Sequence, residues 1–454
     1  MTDKELIARA YKNCHPEEPL EPTDPRWVDL DEKGVRGRDR TGRLLFNRIE
    51  TAQIGEDFAR ILFSGFRGSG KSTALRGLVH TLQEKDFTPA YVDLEEFLNL
   101  QIPVAPYEVM LSIAGAIDQK ISPSSDTGSS ILDRIFATLQ TEIEIREVGF
   151  SLPAGISLNA EIKKNLSFRQ SLQRHIHEQQ KQPMVIKKCR EFIVEAVATY
   201  KKKFPTKHGL VIVLDNLEKL GDVGTPEART SVINLFKLHA DDLLLPCHTV
   251  YTIPPWLRFV ETWRSIGSKL GEPITLPMVK VCEPENDRRE NDSGINKMIE
   301  ILAKRFDINA IFGEQSGEVL REVAVFSGGY VRDLLRLARA ILTRINYNED
   351  ALPLSVEKTK DCLEIEIEAL AQLYDTSLYQ DDVEDLLTVE ETHDVPPGRI
   401  DVDRPAGWFD NHFLLCYHNG HPWYDLHPLI KYKSQRFQRL KRLTQAAHES
   451  SEKE

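Results

Sequence analysis

The chain has 454 residues, 41% of them hydrophobic and 28% charged, with a formal net charge of -12. That length suits roughly two to four domains, and the balance excludes wholesale disorder and fibrous architectures. The acidity argues against a chain that coats nucleic acid through global charge, while leaving room for a local basic patch.

No apolar run reaches the roughly 18 residues of a membrane span. The first residues, MTDKELIARAYKN, are charged and carry no apolar signal core, which points to a cytoplasmic chain. Cys14, Cys189, Cys247, Cys282, Cys362 and Cys416 lie far apart with no CxxC pair, the pattern of reduced thiols.

The most informative stretch begins with a short apolar run of strand character at residues 61–64. It leads into Gly65, Phe66, Arg67, Gly68, Ser69, Gly70, Lys71 and Ser72, a full G-x-x-x-x-G-K-S match followed by Thr73. Ala74, Leu75, Leu78, Val79 and Leu82 then recur with helical spacing. Strand, glycine loop and helix together form a phosphate cradle. Glycines let backbone N–H groups turn toward phosphate oxygens, and the helix points its partial positive end at the same anion. In that setting Lys71 bridges the β- and γ-phosphates of ATP, and the Ser72 hydroxyl joins the Mg²⁺ shell.

Residues 89–94 (PAYVDL) read as a second strand and residues 107–118 as a helix beside it. Residues 122–130 (SPSSDTGSS) form a polar hinge, with a helix at 131–140. Phe150 and Leu152, then Ile156, Leu158, Ala160 and Ile162, alternate with period two around residues 153–155, a hairpin signal. A long helical stretch follows, ending at Lys201, Lys202 and Lys203. Residues 121–207 therefore read as an inserted module. Its hairpin either meets a partner or DNA or extends the domain surface.

Residues 210–214 (LVIVL) are continuously apolar, as in a central parallel strand buried on both faces. The run ends in Asp215, placed to hold Mg²⁺. A glutamate commonly follows such an aspartate; here Asn216 does. Glu218 is the nearest acid and the candidate general base, the alternative being that it caps the turn while Asn216 positions water. Thr225 and Pro226 start a helix. Residues 247–253 (CHTVYTI) form another strand, where Thr252 either touches the γ-phosphate or the attacking water, or bonds its own backbone. Arg229, Arg258 and Arg264 are candidates for an arginine finger, and no context selects among them.

At residues 326–338 (FSGGYVRDLLRLA) a glycine pair opens a helix with an arginine one turn in. This resembles the sensor-2 segment of AAA-plus ATPases, in particular the branch of replication initiators and STAND signalling ATPases, over roughly residues 28–350. The resemblance implies a small helical lid from which Arg332 reaches the γ-phosphate, so that ATP closes the lid and hydrolysis releases it.

Beyond the lid, residues 356–374 are helical and residues 381–394 acidic. Residues 413–424 (FLLCYHNGHPWY) read as strand, Asn-Gly turn, strand. Helices followed by a hairpin suggest a winged-helix-like domain. Residues 431–442, from Lys431 to Arg442 (KYKSQRFQRLKR), hold six basic residues and no acids, with Tyr432 and Phe437 interleaved as candidate DNA contacts. Cys416, His418, His421 and His427 match no common zinc spacing.

The expected architecture is thus α/β: a three-layer P-loop NTPase sandwich with a parallel sheet, a helical lid and a C-terminal winged-helix-like domain. An extension occupies residues 1–50, the ATPase core 51–280, the lid 281–350 and the winged-helix-like part 351–454. The expected function is Mg²⁺-dependent ATP binding and hydrolysis to ADP and phosphate as a conformational switch. Glu218, Lys71, Thr252 and Arg332 are the catalytic residues, and Ser72 and Asp215 hold the metal. An initiator-like DNA-associated ATPase and a scaffold without turnover that recruits an effector protein are the alternatives, with a homo-oligomer open in each.

Overall fold

The computed structural model describes residues 2–32, 34–37, 40–98, 100, 102–121, 166–221, 225–284, 289–346, 349–395 and 403–451. The expected hinge, helix and hairpin of residues 122–162 lie outside them. Five strands form one sheet: β1 (Arg60–Gly65), β2 (Thr88–Asp93), β3 (Leu210–Asp215), β4 (His248–Ile253) and β5 (Ile274–Leu276), in the order β2-β3-β4-β1-β5. The pairs β2–β3, β3–β4 and β1–β4 are parallel. This is the three-layer α/β P-loop architecture expected from the sequence.

Parallel pairs cannot be joined by tight turns and need crossovers. The helix Pro226–Leu238 lies between β3 and β4, with Thr225 accepting from Ala228 N at 3.2 Å as its cap. Every residue of β3 and β4 is buried, which accounts for the unbroken apolar run of residues 210–214.

The chain divides into two units. One comprises residues 44–64 and 77–274. It holds nearly all of the sheet together with the helices Pro106–Ile121, Leu166–Glu178 and Gln182–Lys203. The last two replace the single long helix expected there. The break has a local cause: Gln180 takes a left-handed φ of 54°, and Pro183 opens the second helix. Arg169 and Glu108, both fully buried, form a bidentate pair at 2.7 and 2.8 Å that ties the Leu166–Glu178 helix to the Pro106–Ile121 helix.

The other unit comprises residues 1–43, 65–76 and 275–454. Its core gathers Ile7 and Ala10 from the helix Asp3–Asn13 and its cap Cys14 with Leu334, Leu337, Ala338 and Ile341 from the helix Val331–Thr343. Leu363 and Ile367 of the helix Val356–Asp375 complete it. The hairpin β6 (Leu414–His418) and β7 (Pro422–Leu426) turns through Asn419, Gly420 and His421. The glycine pair is forced: a β-carbon on Gly329, at φ 72°, would stand 1.7 Å from Val279 O. Among the described residues no helix is long and apolar enough to cross a membrane.

Candidate nucleotide-phosphate site

β1 delivers its last residue, Gly65, into the glycine loop, and the helix Lys71–Glu84 leaves it. Gly68 and Gly70 adopt φ of 80° and 95°, the left-handed conformations that aim successive N–H groups to one side. Lys71 is buried, and its ammonium donates to Gly65 O and Phe66 O, both at 2.8 Å. A phosphate oxygen is a stronger acceptor than a carbonyl, so those bonds are exchangeable for an anion in the loop. Ser72 is half-buried at the first turn of the helix, and the Thr73 hydroxyl accepts from Leu20 N at 3.3 Å.

Several neighbours of the loop escaped sequence reasoning. Arg36 is buried and donates to Ser69 O at 2.8 Å and to Pro277 O at 2.9 Å. Burial pulls its guanidinium down to about 10, so it is still charged at neutral pH. Tyr330 Oη donates to Arg67 O at 2.8 Å, and His412 Nε2 bonds the same carbonyl at 2.9 Å. Since a carbonyl only accepts, Nε2 carries the proton. Burial holds His412 down at about 4, which keeps that neutral form. Phe66 is buried against Phe409, their ring centroids 5.6 Å apart.

Arg332, expected to face a phosphate, has its side chain at this loop. A β-carbon on Gly68 would lie 2.5 Å from Arg332 Nε. Its neighbour Asp333 is fully buried. Burial pushes the Asp333 carboxyl upward, but bonds from His427 and Tyr374 and the nearby Arg336 outweigh it and hold Asp333 below its ordinary range. His427 is thereby engaged in a structural network. Among the described residues no three His, Cys, Asp or Glu side chains gather as metal ligands.

In the sheet-bearing unit, Asp215 is fully buried. Its Oδ2 accepts from Tyr91 Oη at 2.6 Å and its Oδ1 from Asn216 N at 2.8 Å. Asn216 stands at φ 67°, a conformation asparagine tolerates better than most residues. Its Nδ2 donates to Asp93 Oδ1 at 2.6 Å, and Asp93 pairs directly across from Asp215 in the β2–β3 register. The structure therefore adds Asp93 as a second carboxylate at this strand end, joined to Asn216.

Glu218 is buried in the short turn Leu217–Gly221. Thr252 is buried and accepts from Leu217 N at 3.0 Å, so its oxygen holds the backbone of that turn. Of the arginine-finger candidates, Arg229 is buried, Arg258 lies 3.8 Å from Glu272, and Arg264 is exposed.

The basic C-terminal segment is partly spoken for. Lys431 and Lys441 bind Glu390 at 2.9 and 3.0 Å. Phe437 is fully buried, which removes it as a nucleic-acid contact: it packs inward from the helix Gln435–Ser451. Lys433, Arg436, Arg439 and Arg442 are exposed.

No known family pattern matches the chain, and no curated protein matches it. Among solved structures it aligns with the Aeropyrum pernix ORC1 protein in complex with DNA, over 89% of this chain and 92% of that one, at 14% identity and a TM-score of 0.37. It also aligns with Drosophila ORC bound to DNA, over 97% of this chain and 93% of that one, at 12% identity and a TM-score of 0.38. Likenesses this distant carry no argument about function.

Proposed function

We propose that the chain binds ATP at residues 65–73 and hydrolyses it to ADP and phosphate, acting as an AAA-plus-type conformational switch. The observation that carries this reading is the loop itself. Gly68 and Gly70 are left-handed, the Lys71 ammonium sits on loop carbonyls, and the Arg332 guanidinium lies against Gly68. Three kinds of donor suited to phosphate thus belong to one stretch of structure: backbone N–H, ammonium and guanidinium.

The motif residues in the sequence also imply Mg²⁺, a hard cation that prefers oxygen ligands. The Ser72 hydroxyl and the Asp215 carboxylate would hold it, and the ion would supply charge neutralisation on the phosphates. In this reading Lys71 and Arg332 bind phosphate oxygens, and Thr252 braces the turn after β3. Glu218 or Asp93 accepts the proton of the attacking water. An amide at Asn216 can orient water but cannot take its proton, which favours slow turnover, in keeping with a switch.

A second reading rests on exposed Lys433 and on Arg436, Arg439 and Arg442, which give the last helix an exposed basic side. It makes the chain a DNA-associated ATPase, with affinity that falls as salt rises. One experiment separates these readings: phosphate release from Mg-ATP by wild type, Lys71→Ala and Glu218→Gln, with and without duplex DNA. Turnover lost in Lys71→Ala supports the site, and stimulation by DNA supports the second reading. Normal hydrolysis by Glu218→Gln moves the base to Asp93. A wild type that binds ATP without releasing phosphate is a nucleotide-gated scaffold, and the enzyme reading fails.

A further inference from the structure

The arginine at the glycine loop is held by a carboxylate from the opposite end of the chain. Arg332 Nη2 donates to Glu17 Oε2 at 2.7 Å across 315 positions of sequence. The arginine side chain is only 8% exposed, and its Nε is buried without a hydrogen-bond partner among the described residues. That unpartnered nitrogen points at the loop: a β-carbon on Gly68 would lie 2.5 Å from Nε and 2.7 Å from Cζ.

Glu17 is held in place from both sides. Before it, Asn13 Nδ2 donates to Arg305 O at 2.7 Å. After it, Arg76 donates to Pro19 O at 3.2 Å and Leu20 N to Thr73 Oγ1 at 3.3 Å. The adjacent Glu18 is committed to Arg26 at 2.8 Å. Arg336 Nη2 stands 4.0 Å from Glu17 Oε1, while its Nη1 serves Asp333.

We infer that Glu17 is a specificity-determining residue of the phosphate site, setting the preference between ATP and ADP by occupying the guanidinium that a third phosphate needs. This rests on the nucleotide reading above. An arginine guanidinium in a protein is always charged and offers a fork of donors that suits carboxylate and phosphate alike. A γ-phosphate brought to Arg332 must share or displace Glu17, and the two anions repel each other. A diphosphate ends one phosphate short and leaves the pair intact. Glu17 thus weakens triphosphate binding and leaves diphosphate binding alone. The chain is biased toward its ADP-bound state until the pair opens. Glu17 is half exposed, so water screens the repulsion and the bias is modest, about three- to tenfold.

The test uses the full chain with fluorescent ATP and ADP analogues and Mg²⁺. Affinities are compared for wild type, Glu17→Gln, Arg332→Ala and the double variant, with Glu18→Gln as the control and melting curves confirming that each folds. Glu17→Gln is expected to tighten triphosphate binding about three- to tenfold and to leave diphosphate binding unmoved. Arg332→Ala should erase that gain in the double variant. Equal shifts for both nucleotides, or no shift, overturn the inference. Weaker triphosphate binding in Glu17→Gln also overturns it, making the carboxylate a support that orients Arg332. A wild type that binds neither nucleotide fails the nucleotide reading itself and takes this inference with it. Intact binding with an unmoved ATP-to-ADP ratio fails this inference alone.

Discussion

Gly68 shows how much one residue can decide. At φ 80° it occupies a conformation that L side chains rarely adopt, and the space where a β-carbon would go is filled by Arg332 Nε at 2.5 Å and Tyr330 Oη at 2.7 Å. Gly68→Ala therefore strains the backbone by about 1–2 kcal/mol and pushes the guanidinium off the loop. Calorimetry should show a lowered melting temperature, and nucleotide titration should show ATP affinity reduced by more than about tenfold, as expected for losing a charge-assisted contact. Unchanged ATP affinity would mean that Arg332 contributes nothing to binding. The glycine loop was legible in the sequence because its residues are contiguous and its motif carries its own geometry. Glu17, Arg36 and His412 were not, because each meets the loop or its arginine from a remote segment, and no local pattern encodes such a meeting. Asp93 was hidden differently. It lies within the predicted strand 89–94, but only the β2–β3 register sets it opposite Asp215.

At the scale of elements, patterns of period and punctuation read well. β1 and β3 declared themselves as apolar runs, the Asn-Gly turn announced the β6–β7 hairpin, and Thr225 with Pro226 marked a helix start. The break at Gln180 was missed because its flanks, rich in glutamine and lysine, are good helix formers. The opening residue of β4 carries a measurable consequence. His248 Nδ1 accepts from Ala59 N at 3.0 Å and its Nε2 faces Gln53 Oε1 at 2.9 Å, so the neutral ring satisfies both partners. Burial lowers its pKa from 6.5 to about 4. Between those values the unfolded chain binds more protons than the folded one, so stability is lost as pH falls through that window and is fully present above it. Chemical denaturation should give a constant midpoint from about pH 8 to 7 and a falling one from about pH 6.5 toward 4. The slope should shrink in His248→Gln. His412, also near 4, has the same sign and leaves part of the slope in place. A slope identical in wild type and His248→Gln would show that the ring is not buried neutral.

For the molecule as a whole, the cysteines join composition to packing. The sequence suggests six reduced thiols; in the structure Cys14, Cys189, Cys247, Cys362 and Cys416 are buried and Cys282 is partly exposed. The buried five are spread across both units, so they sample the integrity of each. Burial pushes Cys14, Cys189 and Cys247 up to about 12. A thiolate is the reactive species, so these three are protected twice, by exclusion of the reagent and by protonation. Titration of the native chain with an aromatic disulfide at neutral pH should therefore show one prompt thiol, removed by Cys282→Ser, and five that react only as the chain opens. In denaturant all six should react at once. If the core of the unit formed by residues 1–43, 65–76 and 275–454 opens without global unfolding, Cys14, Cys362 and Cys416 should become reactive ahead of Cys189 and Cys247. Adding Mg-ATP should slow that first group wherever the nucleotide binds the folded form. More than one prompt thiol in the native chain would contradict the packing described for the two cores.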